Sequence, residues 1–119
     1  MTSSLESVII KVLSNKRFDL NTEAVLQKQI EGVLRQSTLN FEREKVLSVE
    51  DRPDFFIENR IALEIKIKGR VKSIYKQCER YAQHDQVKSI ILVTNKSMGF
   101  PAFINDKPCW VINLGRAWL

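Results

Sequence analysis

The run I-A-L-E-I-K-I at residues 61–67 constrains this chain more than any other stretch, because its large aliphatic residues alternate strictly with other types. That is the period of a half-buried strand, with Ile61, Leu63, Ile65 and Ile67 on one face and Ala62, Glu64 and Lys66 on the other. Just upstream, D-R-P-D-F-F-I-E-N-R at residues 51–60 reads as a second short strand and a tight turn. Glu64 and Lys66 project together, about 7 Å apart along the strand. The length of the turn decides whether Asp54 joins them. A two-residue turn at Glu58-Asn59 sets Asp54 opposite Leu63 and leaves Glu64 on the other face. A three-residue turn, Glu58-Asn59-Arg60, pairs Ile57 with Ile61 and Asp54 with Glu64, with Asn59 or Arg60 in the left-handed conformation. We expect the three-residue turn, since it gives one face a reason to carry Asp54, Glu64 and Lys66.

Carboxylates directly opposed on a hairpin have Cβ atoms about 5 Å apart and repel unless something positive lies between them. A hard divalent cation answers that requirement. Mg²⁺ takes oxygen ligands, keeps several waters, and is usually held by one or two carboxylates together with substrate phosphate. A lysine beside it can stabilise developing charge or hold an attacking water. At this point the residues resemble the PD-(D/E)XK nucleases, whose core is the restriction-endonuclease-like fold. Pro53-Asp54 is similar to the first half of their signature and Glu64-Ile65-Lys66 to the second. The resemblance implies that Asp54, Glu64 and the backbone carbonyl of Ile65 are ligands of Mg²⁺ or Mn²⁺, with Lys66 as a catalytic residue. The plain alternative is an amphipathic hairpin with a solvated charged face.

Upstream of the hairpin two helices are expected. Ser3 and Glu6 form a capping-box pattern ahead of Leu5, Val8, Ile9, Val12 and Leu13 at helical spacing. A second helix is expected to start at Asn21 as N-cap, with Leu20 and Val25 as a hydrophobic staple and Leu26, Ile30, Val33 and Leu34 as its buried stripe. Glu23 lies about 35° from the centre of that stripe and Glu31 about 115° away. An acid facing inward is expensive unless paired or bound to a cation. Glu23 either favours the helix dipole in the first turn or reaches over the hairpin toward Asp54 and Glu64. Members of the resembled family often supply a metal-site glutamate from the first core helix. Glu23 matches that position better than Glu31.

Residues 41–49 read as a strand near a sheet edge. After the hairpin, Gly69 releases the chain into a third helix whose buried stripe is Val71, Ile74, Tyr75, Cys78, Tyr81 and Ala82. Lys72, Lys76 and Arg80 recur every four residues beside it, a ridge that is either solvated or tracks a phosphate backbone. Gln77 and Tyr81 form Q-x-x-x-Y one helix after E-x-K, which resembles the RecB-type branch of the superfamily. That resemblance implies a glutamine bonding near the metal site and a tyrosine that packs or touches DNA. The branch commonly carries an upstream histidine, which this chain lacks, so processive exonuclease behaviour is not expected. Residues 87–94 form a β-branched run typical of a strand buried on both faces. Phe103-Ile104 and residues 109–114 flank a turn at Asn105-Asp106-Lys107, a terminal hairpin, and Trp118-Leu119 suggest a docked end.

Composition narrows the function classes. With 119 residues we expect one domain: a helical extension at 1–20, a catalytic core at 21–94 and a hairpin with docked tail at 95–119. No apolar run approaches the length of a membrane span, and no signal peptide is apparent, so cytoplasm is the expected location. Lys and Arg outnumber Asp and Glu by 19 to 14, and the net charge of +5 suits a polyanionic partner. Cys78 and Cys109 show neither a disulfide framework nor a zinc spacing, and the single histidine, His84, is expected to meet the carbonyls that end the third helix. Zinc hydrolases and histidine-dependent nucleases are therefore disfavoured.

The expected architecture is α/β in the order ααβββαβ plus a C-terminal hairpin, a mixed sheet with helices on both faces. The resemblance implies a metal-dependent endodeoxyribonuclease, acting as a homodimer on DNA. Its site would comprise Glu23, Asp54, Glu64, Lys66 and Gln77, with DNA contacts from Lys68, Arg70, Lys72, Lys76, Arg80 and Tyr81. The alternatives are an inactive DNA-binding module of the same fold or a protein-interaction domain.

Overall fold

The computed structural model describes residues 4–115. Along them run α1 (Leu5–Ser14), α2 (Glu23–Gln36), β1 (Phe41–Arg43), β2 (Phe55–Ile57), β3 (Ile61–Lys66), α3 (Val71–Tyr81), β4 (Ser89–Thr94), β5 (Phe103–Ile104) and β6 (Lys107–Asn113). The element order is the expected one. The strands form one sheet in the order β1-β2-β3-β4-β6-β5, antiparallel from β1 to β3, parallel through β3, β4 and β6, and antiparallel again at β5. The protein is thus α/β with a mixed six-stranded sheet, and α3 is the crossover that parallel β3 and β4 require. Among the described residues no helix is long and apolar enough to cross a membrane.

The period-two pattern places the two cores. Phe55, Ile57, Ile61, Leu63 and Ile65 face α1 and α2, where Ile9, Leu13, Leu26, Ile30 and Leu34 complete one apolar cluster. Phe56 and Ala62 face the other way, onto Cys78, Tyr81 and Ala82 of α3 and its C-terminal end. Each such aliphatic or aromatic side chain, once fully buried, contributes about 1.5–3 kcal/mol. The central strands have both faces covered, so all six β4 residues are buried, as its unbroken apolar run predicts.

Several local expectations change. Ser3 lies outside the described residues. Ser4 caps α1 by accepting from Ser7 N–H at 3.1 Å, while Glu6 turns inward and accepts from Ser89 Oγ at 2.8 Å. Thr22, not Asn21, caps α2, and Val25 is exposed and not part of a staple. Strand β1 stops at Arg43 because Glu44 turns left-handed at φ 51°, and Val46 and Val49 beyond it are exposed. Val71, placed on the buried stripe of α3 by spacing, sits in its open first turn and is exposed. The terminal hairpin turns on Asn105-Asp106 alone, both left-handed, and Lys107 already belongs to β6. Trp118 and Leu119 lie outside the described residues.

Candidate functional site

The turn between β2 and β3 has the three-residue length. Ile57 is opposite Ile61, Phe56 opposite Ala62 and Phe55 opposite Leu63. Glu58 and Asn59 take positive φ (52° and 55°), and Arg60 N–H closes on the Ile57 carbonyl at 3.0 Å. Two left-handed central residues with that bond make a type I′ turn, whose twist suits a hairpin. Asn59 was an expected left-handed residue. Glu58 is a second, unexpected one, and its carboxylate accepts from Asn40 N–H at 2.6 Å.

One step beyond the last bridged pair, Asp54 stands opposite Glu64, and its N–H reaches Glu64 Oε1 at 3.3 Å. Lys66 follows two residues on, with Nζ 3.5 Å from Glu64 Oε2. Asp54 does not continue the backbone ladder to β3. Its side chain does so instead, with Oδ2 accepting from Ile65 N–H at 2.7 Å. The N–H and C=O of a strand residue leave on the same edge, so the Ile65 carbonyl also faces this end of the hairpin. Two residues along that edge, Ile67 N–H donates to Glu23 Oε1 at 3.0 Å. Successive same-edge amides lie about 7 Å apart, so Asp54 and Glu23 flank the Ile65 carbonyl.

Local structure explains why Glu23 arrives there. It is the first residue of α2, capped by Thr22, and helix side chains lean toward the N-terminus. Its carboxylate therefore hangs past the end of the helix, over the carboxyl end of β3. Glu31, the other candidate acid on α2, points elsewhere and pairs with Arg35 at 2.6 Å and Arg43 at 2.9 Å. Those hydrogen bonds hold the Glu31 carboxyl below its ordinary range.

Glu64 is only 2 % exposed. Tyr81 Oη donates to its Oε1 at 2.9 Å, and Gln77 Nε2 donates to Tyr81 Oη at 2.9 Å, so Gln77 acts on the carboxylate through the phenol. Burial first, and the charge of Asp54 second, push the Glu64 carboxyl up to about 7. Burial likewise pushes Asp54 up to about 6, against the Ile65 N–H and Lys66, with the Glu23 charge adding to the rise. Burial and the neighbouring Glu64 charge drive the Tyr81 phenol far above its ordinary value, so it remains a donor. Tyr81 itself has no exposed surface, which corrects its placement among DNA contacts: the hydroxyl serves Glu64 and the ring serves the core.

The basic residues divide. Lys68, Arg70, Lys72 and Lys76 are all exposed around the start of α3. Arg80 is committed to Asp51, with Nε 2.9 Å from Oδ1, while the other oxygen of Asp51 meets His84 Nε2 at 2.8 Å. His84 therefore serves a buried carboxylate with its ring, while its backbone N–H meets the Tyr81 carbonyl at the end of α3 at 3.1 Å, as expected. Burial disfavours the charge on Asp51, yet the His84 and Arg80 hydrogen bonds outweigh it and hold the carboxyl below its ordinary value. Both cysteines are free and buried, and burial pushes the Cys78 thiol up to about 12 and Cys109 up to about 11, which leaves neither a ready nucleophile. A surface depression of about 540 Å³, lined by residues 17–21 and Gln29, lies apart from the carboxylates.

Two residues of this site escaped sequence reasoning. Gln27 Nε2 donates to Asp54 Oδ1 at 3.1 Å, and Arg43 NH2 donates to Gln27 Oε1 at 2.9 Å. The i, i+4 spacing of Glu23 and Gln27 was a usable signal, since both lie on one helix face. No spacing in the sequence points to Arg43.

The donor set is all oxygen, which suits Mg²⁺ or Mn²⁺. Each Asp54 oxygen accepts one protein hydrogen bond and keeps a lone pair free. Among the described residues no group of three or more His, Cys, Asp and Glu side chains is arranged as a metal cage. What the hairpin offers is two opposed carboxylates beside the Ile65 carbonyl. Comparison of the chain with models of protein families, with curated proteins and with solved structures finds no match.

Proposed function

We propose that this protein is a metal-dependent endodeoxyribonuclease with a restriction-endonuclease-like core, hydrolysing phosphodiester bonds with Mg²⁺ or Mn²⁺. The observation that carries the reading is the pairing of Asp54 with Glu64 at the open end of the hairpin, beside Lys66. Two adjacent buried acids, both pushed up, are unfavourable as a purely structural device. They become favourable once a divalent cation shares them. Asp54, Glu64 and the Ile65 carbonyl would hold that cation, and Glu23 would orient a ligand or water from the next amide along the strand. Bound there, the cation would supply Lewis-acid activation of phosphate and water. Lys66, partly exposed and paired among the described residues with Glu64, presents an ammonium that can stabilise phosphate charge or hold the attacking water. Tyr81 and Gln77 keep Glu64 in place from the core side. Lys68, Arg70, Lys72 and Lys76 would contact the DNA backbone. A homodimer would bring two such sites to the two strands of a duplex.

Plasmid nicking in Mg²⁺, Mn²⁺ and EDTA tests this. Cleavage in either metal that EDTA stops is the expected result. Salt-sensitive DNA binding without cleavage would instead identify an inactive binding module, and no DNA binding at all would favour a protein-interaction domain.

A further inference from the structure

Asp54 is served by a chain of side chains that lies outside both halves of the hairpin motif. Gln27 Nε2 donates to Asp54 Oδ1, and Gln27 Oε1 accepts from Arg43 NH2. The guanidinium is itself fixed: NH1 donates to Glu31 Oε1 at 2.9 Å, and its carbon lies 5.0 Å from the centroid of the buried Phe55 ring. An amide's two ends are alike in shape, but here chemistry distinguishes them. Arginine can only donate, so Gln27 must turn its oxygen toward Arg43 and is left presenting its NH₂ to Asp54. The other Asp54 oxygen is taken by Ile65 N–H, so both oxygens meet fixed donors and the carboxylate plane is set.

Core satisfaction does not require this arrangement. Gln27 is half-buried and the Arg43 side chain is 33 % exposed, so water could serve either polar group. The chain nevertheless crosses from α2 and β1 to the one acid that opens the candidate site. We propose that Gln27, oriented by Arg43, is the positioning residue that holds the Asp54 carboxylate in a single orientation, with its free lone pairs aimed out of the hairpin end. The benefit to cation and phosphate rests on the nuclease reading above. The positioning itself does not.

The experiment compares Gln27→Met, Arg43→Lys and Arg35→Ala with the parental protein, each checked by a thermal melt. Hydrogen exchange at the Ile65 amide reports Asp54 directly, with the amide of Leu63, bridged to Phe55, as internal reference. Gln27→Met should lower Ile65 protection selectively and weaken Mn²⁺ binding in calorimetric titration about 10- to 100-fold, the usual effect of losing a partner that orients a ligand. Its kcat should fall while KM for DNA holds. Arg43→Lys keeps a donor for Gln27 Oε1 and should retain most of the parental protection. Arg35→Ala removes the far partner of Glu31 and a guanidinium 5.5 Å from the centroid of the Phe41 ring, but no partner of Gln27 or Asp54, and should leave Ile65 unchanged. Parental Ile65 protection in Gln27→Met would overturn the proposal even if Mn²⁺ binds and DNA is cut. If the parental protein neither binds Mn²⁺ nor cuts DNA, the nuclease reading fails, and the Ile65 amide still decides the positioning.

Discussion

Replacing Glu64 by glutamine probes the central claim through stability rather than activity. The Glu64 carboxyl rises from its ordinary 4.5 to about 7 in the folded protein. At 1.36 kcal/mol per pKa unit, that rise makes the ionised native state about 3 kcal/mol less favourable than an unperturbed acid would be. The sign follows from proton counting. Between about pH 4.5 and 7 the unfolded chain has released this proton while the folded chain retains it, so stability declines as pH rises through the window. Glutamine has nearly the same shape, and its carbonyl can still accept from Tyr81 Oη and Asp54 N–H. The Lys66 contact that it forfeits is already counted in that net rise, which Lys66 opposes. Glu64→Gln should therefore stabilise the metal-free protein by about 3 kcal/mol at pH 8, or roughly 12 °C in Tm for a domain this size. At pH 4.5, where both side chains are neutral, the two proteins should melt together. Thermal and urea melts in EDTA at the two pH values measure this. Adding Mn²⁺ at pH 8 should reverse the order, because the parental protein alone gains binding energy. If Glu64→Gln is less stable than the parent at pH 8 without metal, the two acids are not in conflict, and the main argument for a cation collapses.

Lys66→Ala should abolish cleavage while leaving Mn²⁺ affinity intact or higher, since a positive charge near Glu64 is removed; cleavage at the parental rate would remove Lys66 from the catalytic residues. Replacing both Lys72 and Lys76 by alanine should weaken DNA binding across sequences and flatten its salt dependence, read by titration at several salt concentrations. Tyr81→Phe deletes the donor to Glu64 Oε1 and leaves Gln77 Nε2 without its partner, so it should lower stability by about 1–3 kcal/mol in a urea melt at pH 8. That effect should shrink near pH 4.5, where a neutral Glu64 needs the phenol less.

Much of this molecule follows from its residue periods. The alternation of residues 61–67 specified β3 and both of its faces, and the odd turn length then put Asp54 opposite Glu64. The unbroken apolar run of β4 implied a strand covered on both sides, and the 3.6-residue stripe of α3 placed Ile74, Cys78 and Tyr81 in the core. These are one-dimensional patterns, and the backbone geometry of strand and helix converts them directly into faces. Glu23 was also legible, because the N-terminal lean of helix side chains needs only the position of the helix start.

Partnerships between distant segments were not legible. Asp51 is 29 residues from Arg80 and 33 from His84, and Gln27 is 16 from Arg43 and 27 from Asp54. Nothing periodic relates such residues, and polar side chains choose partners by where the packed elements leave them. Arg80 reads as one more ridge cation until Asp51 is seen beneath it, and the stripe that buries Tyr81 does not say that its hydroxyl meets Glu64. The same limit applies to the terminal hairpin. Its strands are local, but the parallel pairing of β6 with β4 depends on which sheet edge α3 and β4 leave open. Local sequence determined the elements and their faces; only the assembled sheet decided which charges meet, because hydrogen bonds at the end of the hairpin are set by the sum of every packing contact around it.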